Sequence, residues 1–164
     1  MIENMQGNKT FGDVQSALTQ LDQLSQAIID TSSLIYLQEI ALLAETSQWI
    51  RLFTVAGVIR EFGGITPPCQ IRIIDDPGNS NAPDKTDDKL CQAAEKWQLP
   101  IISEDRQILM RARALNLPFF NTLMLLNGLF YKHFIGPGEY HAALRQLRGI
   151  ARYSEEIYDF GQMV

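Results

Sequence analysis

The chain has 164 residues, 46% of them hydrophobic and 20% charged, which suits one domain with a sizeable core and is too short for two ordinary domains. A net charge of −5 argues against gross attraction to nucleic acid. The charge is uneven, because residues 1–105 hold 15 acidic and 7 basic side chains, whereas residues 106–164 hold 4 and 7. Cys69 and Cys91 show no metal or disulfide spacing. Without a secretory signal or an apolar run of roughly 20 residues, we expect a cytoplasmic protein with no membrane partner.

Helices and strands alternate along the chain. Apolar spacing, caps and breaks predict a helix from Phe11 to Leu24, a buried strand at 26–30, a helix from 31 to about 44, a short strand at 49–53, a helix at 55–62 and a strand at 69–74. After a loop at 75–84 they predict a helix from Thr86, a strand at 99–103, a helix at 104–115, a short strand at 116–120 and then helices to the end. Such alternation predicts an α/β fold, with three layers (α/β/α) around a mostly parallel sheet. Residues 1–25 would form a helical extension and residues 26–164 the domain.

Two carboxylates fall where predicted strands end. Asp30 closes the strand QAII, and Asp105 follows the strand PIIS by one residue. In an open parallel sheet, ligands bind at the carboxyl ends of the strands, so the shared position of these side chains indicates a site.

Two more carboxylates are candidates because of their helices. Glu61 lies near the end of the helix VAGVIREF, and Asp87 lies in the first turn of the helix that begins at Thr86. Asp87 would share the inward face of its helix, whereas Asp88 is turned away by about 100° and ranks second. The inward face itself is predicted at Leu90, Ala93, Ala94 and Trp97.

Each candidate also has a purely structural interpretation. Asp30 and Asp105 would each cap the helix that follows, and Asp87 suits the positive end of a helix. Glu61 would be a solvated surface charge. The polar run TSS at residues 31–33 is also predicted to cap the first helix of the domain, and Thr54 is predicted to cap the second.

The order of these segments resembles the PIN domain, a family of metal-dependent ribonucleases that includes the toxins of many toxin–antitoxin pairs. AIIDTS resembles its first strand with Asp, VIREF its helix with Glu, the stretch from Asp87 its D-x-x-(L/I)-x-x-x-A helix, and Ser103-Glu104-Asp105 its (S/T)-x-D. The resemblance covers about residues 26–132, and NLPFFNTLMLL is similar to the closing strand and helix of one bacterial subgroup. The helical extension and the lack of a proline near Glu61 depart from the family pattern.

The resemblance implies an endoribonuclease that cleaves single-stranded RNA and leaves 5′-phosphate and 3′-hydroxyl ends. Asp30, Asp87 and Asp105 would hold Mg²⁺ or Mn²⁺, because hard cations take oxygen ligands. Without a bound cation, four clustered carboxylates would raise one another's pKa. Ser103 would support a metal ligand, and Glu61 would orient or deprotonate the attacking water.

The resemblance also implies partners for the chain. RNA would be the substrate, an antitoxin protein would bind if the chain is a toxin, and a second copy would form a homodimer, as family members often do. Three arginines after the site would bind RNA phosphates, with a solvated helix face as the alternative interpretation; they are Arg106, Arg111 and Arg113.

Other function classes fit the sequence less well. IRIIDDPG is similar to the opening of a phospho-receiver domain, but only 88 residues follow Asp76. A haloacid dehalogenase-like phosphatase would need D-x-D, whereas Thr31 and Ser32 follow Asp30. The alternative that stays open is a catalytically inactive PIN-like module that binds RNA or a protein partner, because a fold does not settle a function.

Overall fold

A computed structural model describes residues 16, 18–63, 70–74 and 86–151. Residues 18–23 are helical and form α1. The later elements are β1 (Gln26–Ile29), α2 (Thr31–Glu39), α3 (Leu43–Trp49), β2 (Arg51–Thr54), α4 (Ala56–Phe62), β3 (Ile71–Ile73), α5 (Thr86–Trp97), β4 (Ile101–Ile102), α6 (Arg106–Ala114), β5 (Phe119–Phe120), α7 (Thr122–Tyr131) and α8 (Pro137–Ile150). The loop predicted at 75–84 and the helix predicted at SEEIYDF lie outside the described residues.

The five strands pair in parallel in the order β3-β2-β1-β4-β5. Helix α7 contacts α3 and α8, and α5 contacts α6, so that helices flank the sheet and the predicted three-layer α/β/α fold is confirmed. The chain moves outward from β1 to β2 and β3, and then returns to the other side of β1 with β4. The strand order therefore reverses between β1 and β4, which is where an open parallel sheet forms its ligand crevice.

The core lies against the central strands. Strands β1 and β4 read as unbroken apolar runs because both faces of a parallel sheet are covered, and Ala27, Ile28, Ile29, Ile101 and Ile102 are fully buried. From the N-terminal extension, the buried side chains of Leu21 and Leu24 join the same core. The described part of the extension thus packs on its own domain. No helix of the described ranges is long and apolar enough to cross a membrane.

The helix predicted from residue 31 to about Ala44 is wrong at its C-terminal end. Helix α2 ends at Glu39, and α3 begins at Leu43. Between them Ala41 adopts a left-handed conformation with φ 58°, and the Leu42 N–H donates to the Leu37 carbonyl at 2.9 Å, which closes the end of α2. Alanine seldom takes this conformation, so the sequence carries no Gly or Pro signal for the break.

Two predicted caps and one predicted core residue are also wrong. Residues 31–33 lie inside α2, whose N-cap is Asp30. Thr54 ends β2 and is fully buried, and its Oγ1 donates to the Ile29 carbonyl at 2.7 Å, while Val55 is the N-cap of α4. Trp97, predicted to point inward, is 55% exposed.

Candidate functional site

Ser103 connects two of the predicted carboxylates at the crevice between β1 and β4. Asp30 directly follows β1 and is 6% exposed, and Ser103 directly follows β4 and is fully buried. The Ser103 Oγ donates to Oδ2 of Asp30 at 2.9 Å and accepts the backbone N–H of Asp105 at 3.0 Å. One hydroxyl therefore fixes the Asp30 carboxylate relative to the start of the Asp105 loop.

Asp30 is also the N-cap of α2, as its structural interpretation predicted. Its Oδ1 accepts the Thr31 N–H at 2.7 Å, and its Oδ2 receives a longer bond of 3.4 Å from the Ser32 hydroxyl. Asp105 caps α6 in the same way, because its Oδ1 accepts the Gln107 N–H at 2.8 Å. Capping orients both carboxylates but leaves Oδ2 of Asp30 directed at Ser103, away from the capped helix N–H.

Thr31 brings Glu61 to the same place. Glu61 lies on the exposed face of α4, which packs against α2. The Thr31 Oγ1 donates to Oε2 of Glu61 at 2.7 Å, while the Thr31 backbone N–H bonds Asp30. The two carboxylates are thus held by one residue between them.

Asp87 reaches the cluster from the first turn of α5. The pKa of Asp87 is raised by partial burial and by the negative charges of Asp105, Glu61 and Asp88. Asp88 points elsewhere, because its Oδ1 accepts Arg111 Nη1 at 2.7 Å in a half-exposed ion pair. Asp87 is exposed, so the prediction that it shares the inward face of α5 is wrong, but its charge interacts with those of Asp105 and Glu61.

Both burial and neighbouring negative charges act on the pKa of Asp30. Burial raises the pKa of Asp30, and the hydrogen bonds from Ser103 and Thr31 oppose that rise. The charges of Asp87 and Asp105 raise the pKa further. Asp30, Asp87 and Asp105 thus lie within electrostatic reach of one another, and Glu61 lies within reach of Asp87.

Three contributors to this geometry were not predicted as site residues. Thr31 and Ser32 were assigned as caps, although both hydroxyls bond site groups; Ser32 Oγ also accepts the Glu104 N–H at 3.4 Å. Gly57 on α4 lies against Thr86, since a Cβ built on Gly57 would stand 2.5 Å from the Thr86 Oγ1. The run TSS after Asp30 was the available signal for the hydroxyls, whereas nothing in the sequence pairs Gly57 with Thr86.

The predicted RNA-binding arginines lie together on α6, and each is exposed. Arg111 is held by Asp88, one residue from Asp87. Arg106 opens α6 directly after Asp105, and Arg113 lies in its last turn. Helix α6 therefore carries three exposed arginines, of which Arg111 is paired with Asp88 of α5.

The donor set suits a hard divalent cation in its chemistry, since it consists of carboxylate oxygens, and neighbouring charges raise the pKa of Asp30 and of Asp87. Its geometry is looser than a coordination shell. Among the described residues no three His, Cys, Asp or Glu side chains are grouped closely enough to hold a metal ion. Asp30, Asp87 and Asp105 are the residues that would hold one, with Ser103 positioning Asp30.

A groove elsewhere in the fold is mainly apolar. It measures about 450 Å³ and is lined mainly by Phe53, Ile73, Ile74, Trp97 and Leu99. None of the predicted site residues lines it, so the acidic cluster is not part of that apolar surface.

Comparison with known proteins adds no assignment. No protein-family model, curated protein or solved structure matched the chain.

Proposed function

We propose that the chain is a PIN-like, Mg²⁺- or Mn²⁺-dependent endoribonuclease that cleaves single-stranded RNA. The observation that carries the proposal is the buried Asp30 carboxylate at the strand-order reversal, bonded to Ser103 and raised in pKa by burial and by the charges of Asp87 and Asp105. Hydrogen bonds from Ser103 and Thr31 offset part of the cost of burying this carboxylate, and a bound cation would offset the repulsion from its acidic neighbours. A phosphodiester hydrolase uses such a cluster for catalysis.

Each residue of the site takes a role from its contacts. A bound divalent cation would neutralise charge that develops on the phosphate and lower the pKa of water. Asp30, Asp87 and Asp105 would bind that cation, and Ser103 would keep the Asp30 carboxylate oriented toward it. Thr31 holds Oε2 of Glu61, so that Oε1 would accept the proton of the attacking water.

The arginines of α6 would position the RNA. Arg106 and Arg113 would contact backbone phosphates, which supply binding without sequence preference. Arg111 would join them only after leaving Asp88, its ion-pair partner in this structure. The proposal includes a cytoplasmic setting, a homodimer and, if the chain acts as a toxin, an antitoxin protein as partner.

A second candidate function is a PIN-like module that binds RNA or a protein and cleaves nothing. The observation that favours it is the absence, within the described ranges, of three ligand side chains grouped for a metal ion. In that case Asp30 and Asp105 would serve only as helix caps.

The deciding experiment incubates the full chain with single-stranded RNA and Mg²⁺ or Mn²⁺. Asp30→Asn combined with Asp105→Asn should abolish cleavage while keeping the fold, because Asn caps helices about as well as Asp. Glu95→Gln is the matched control, since Glu95 is an exposed carboxylate of α5 that takes no part in the cluster. Cleavage by the double variant would refute the assignment of Asp30 and Asp105 to the catalytic site. Retained RNA binding by the wild-type chain, without cleavage in either metal, would favour the second candidate.

A further inference from the structure

A polar cleft lies at the amino ends of β1, β2 and β3, at the opposite end of the strands from the acidic cluster. It measures about 990 Å³, and we call it the amino-end cleft; its polar lining includes Ser25, Ser47, Gln48, Arg51, Gln70 and Arg72. Both arginines are exposed, and neither forms an ion pair within the described part of the chain. Two positive charges are therefore available to a ligand in this cleft.

The charge of the amino-end cleft is opposite to that of the chain around it. Residues 1–105 hold 15 acidic and 7 basic side chains. Two of these seven basic residues line the cleft, whereas none of the described acidic residues does. The local charge therefore favours an anionic ligand, although the chain as a whole is acidic.

The apolar groove that contains Phe53 adjoins this cleft, since Gln26 and Arg72 line both. Arg51 and Phe53 are two residues apart on β2 and therefore lie on the same face of the sheet. Arg72 lies on that face too, because it is the register partner of Phe53 in β3. One face of the sheet thus carries an aromatic side chain next to two arginines.

Trp97 gives the apolar groove an exposed aromatic ring. It lies at the end of α5 and is 55% exposed. The Nζ atom of Lys96 stands 5.4 Å from the centre of this ring and adds a third positive charge to the region. The combined surface therefore offers cations to an anionic backbone and an aromatic ring to a flat apolar group.

We propose that the amino-end cleft and the apolar groove together bind single-stranded RNA, with phosphates on Arg51 and Arg72 and a base stacked on Trp97. Proteins that hold single strands combine cationic grooves for the backbone with aromatic side chains for the bases. The strand must be unpaired, because a base inside a duplex is not free to stack on a side chain. The inference goes beyond the proposed function, since this surface includes neither the acidic cluster nor a metal ion.

The test measures binding of a short fluorescein-labelled oligouridylate to the full chain by fluorescence anisotropy, in EDTA and at several salt concentrations. Arg51→Gln/Arg72→Gln should weaken binding and reduce the slope of log affinity against log salt by about 1.4, since each phosphate contact of a single strand contributes about 0.7. Arg60→Gln/Arg145→Gln is the matched control, because it removes two exposed arginines that line neither the cleft nor the groove. An equal loss in both double variants, or no binding by the wild type, would overturn the proposal.

Tryptophan fluorescence distinguishes this surface from the arginines of α6. The two tryptophans of the chain are Trp49, which lines the cleft, and Trp97, which lines the groove. The oligouridylate should therefore quench the emission of the wild type, and binding without quenching would overturn the proposal. Trp97→Leu should weaken binding by about fivefold to 150-fold, the range for one base stacked on an aromatic side chain. Tyr131→Leu, at an exposed aromatic residue of α7, should bind as the wild type does.

Failure of this inference and failure of the proposed function give different results. A chain that binds the oligouridylate with the expected salt slope, but cleaves no RNA in Mg²⁺ or Mn²⁺, would keep this surface and remove the nuclease. A chain that cleaves RNA, and whose Arg51→Gln/Arg72→Gln variant binds as the wild type does, would keep the nuclease and overturn this surface. Uridine 5′-monophosphate that binds as tightly as the oligouridylate would indicate a mononucleotide pocket and overturn the assignment to a strand.

Discussion

Ser103→Ala tests whether one buried hydroxyl organises the acidic cluster. The substitution removes a hydrogen bond to a carboxylate, about 1.5–3 kcal/mol, and the acceptor of the Asp105 N–H, about 0.5–1.5 kcal/mol, so the free energy of unfolding should fall by about 2–4.5 kcal/mol. Urea unfolding at pH 7, followed by tryptophan fluorescence, measures the loss. Ser33→Ala is the matched control, because Ser33 is equally buried and its hydroxyl has no hydrogen-bond partner among the described residues.

The loss should depend on pH. The Ser103 bond lowers the pKa of Asp30, so its removal raises that pKa, and the variant loses most stability at pH values where Asp30 is ionised. The difference from the wild type should shrink at the lowest pH at which both proteins remain folded. A loss below about 1 kcal/mol at pH 7, a loss as large in Ser33→Ala, or a pH-independent difference would refute the reasoning.

Three further predictions concern the same cluster. In EDTA, the free energy of unfolding should fall as pH rises above about 4. The reason is that Asp30 ionises at a lower pH in the unfolded chain than in the folded one, where its pKa is raised. Urea titrations at several pH values should show a shallower fall for Asp30→Asn. Mn²⁺ at 100 times its Kd should stabilise the wild type by about 2.7 kcal/mol in thermal unfolding, and the Asp30→Asn/Asp105→Asn variant by nothing measurable. A double-mutant cycle of Arg111→Ala and Asp88→Ala should give a coupling of about 0.2–1 kcal/mol that 1 M salt removes, since both side chains are 44% exposed.

The strands and the position of two site carboxylates followed from general rules. Strands β1 and β4 are short apolar runs bounded by polar residues, and parallel strands end at the same edge of a sheet. Asp30 and Asp105 could therefore be placed at one edge before any contact was known, and the structure puts Ser103 in hydrogen bonds with both residues. The role of these residues as metal ligands stays a prediction.

The errors share a physical cause, which is that tertiary contacts override local preference. Ala41 ends α2 in a left-handed conformation that favours glycine, and no residue type announces it. Trp97 has the spacing of a core residue, yet it lies on the exposed side of α5 near its end. The bond from Thr31 to Glu61 joins two helices 30 residues apart in the chain, and sequence spacing carries no information about such an approach.

The central place of β1 in the sheet has a consequence for how the molecule folds. The hydrogen bond between Ser103 and Asp30 joins residues 73 positions apart. Strand β1 lies between β2 and β4, and its pairing with β4 is equally distant in the chain. Closing so long a loop carries an entropy cost that nearby contacts do not repay, so we expect this pairing to form late. A newly made chain would thus carry no assembled acidic cluster until β4 and the residues after it had been synthesised.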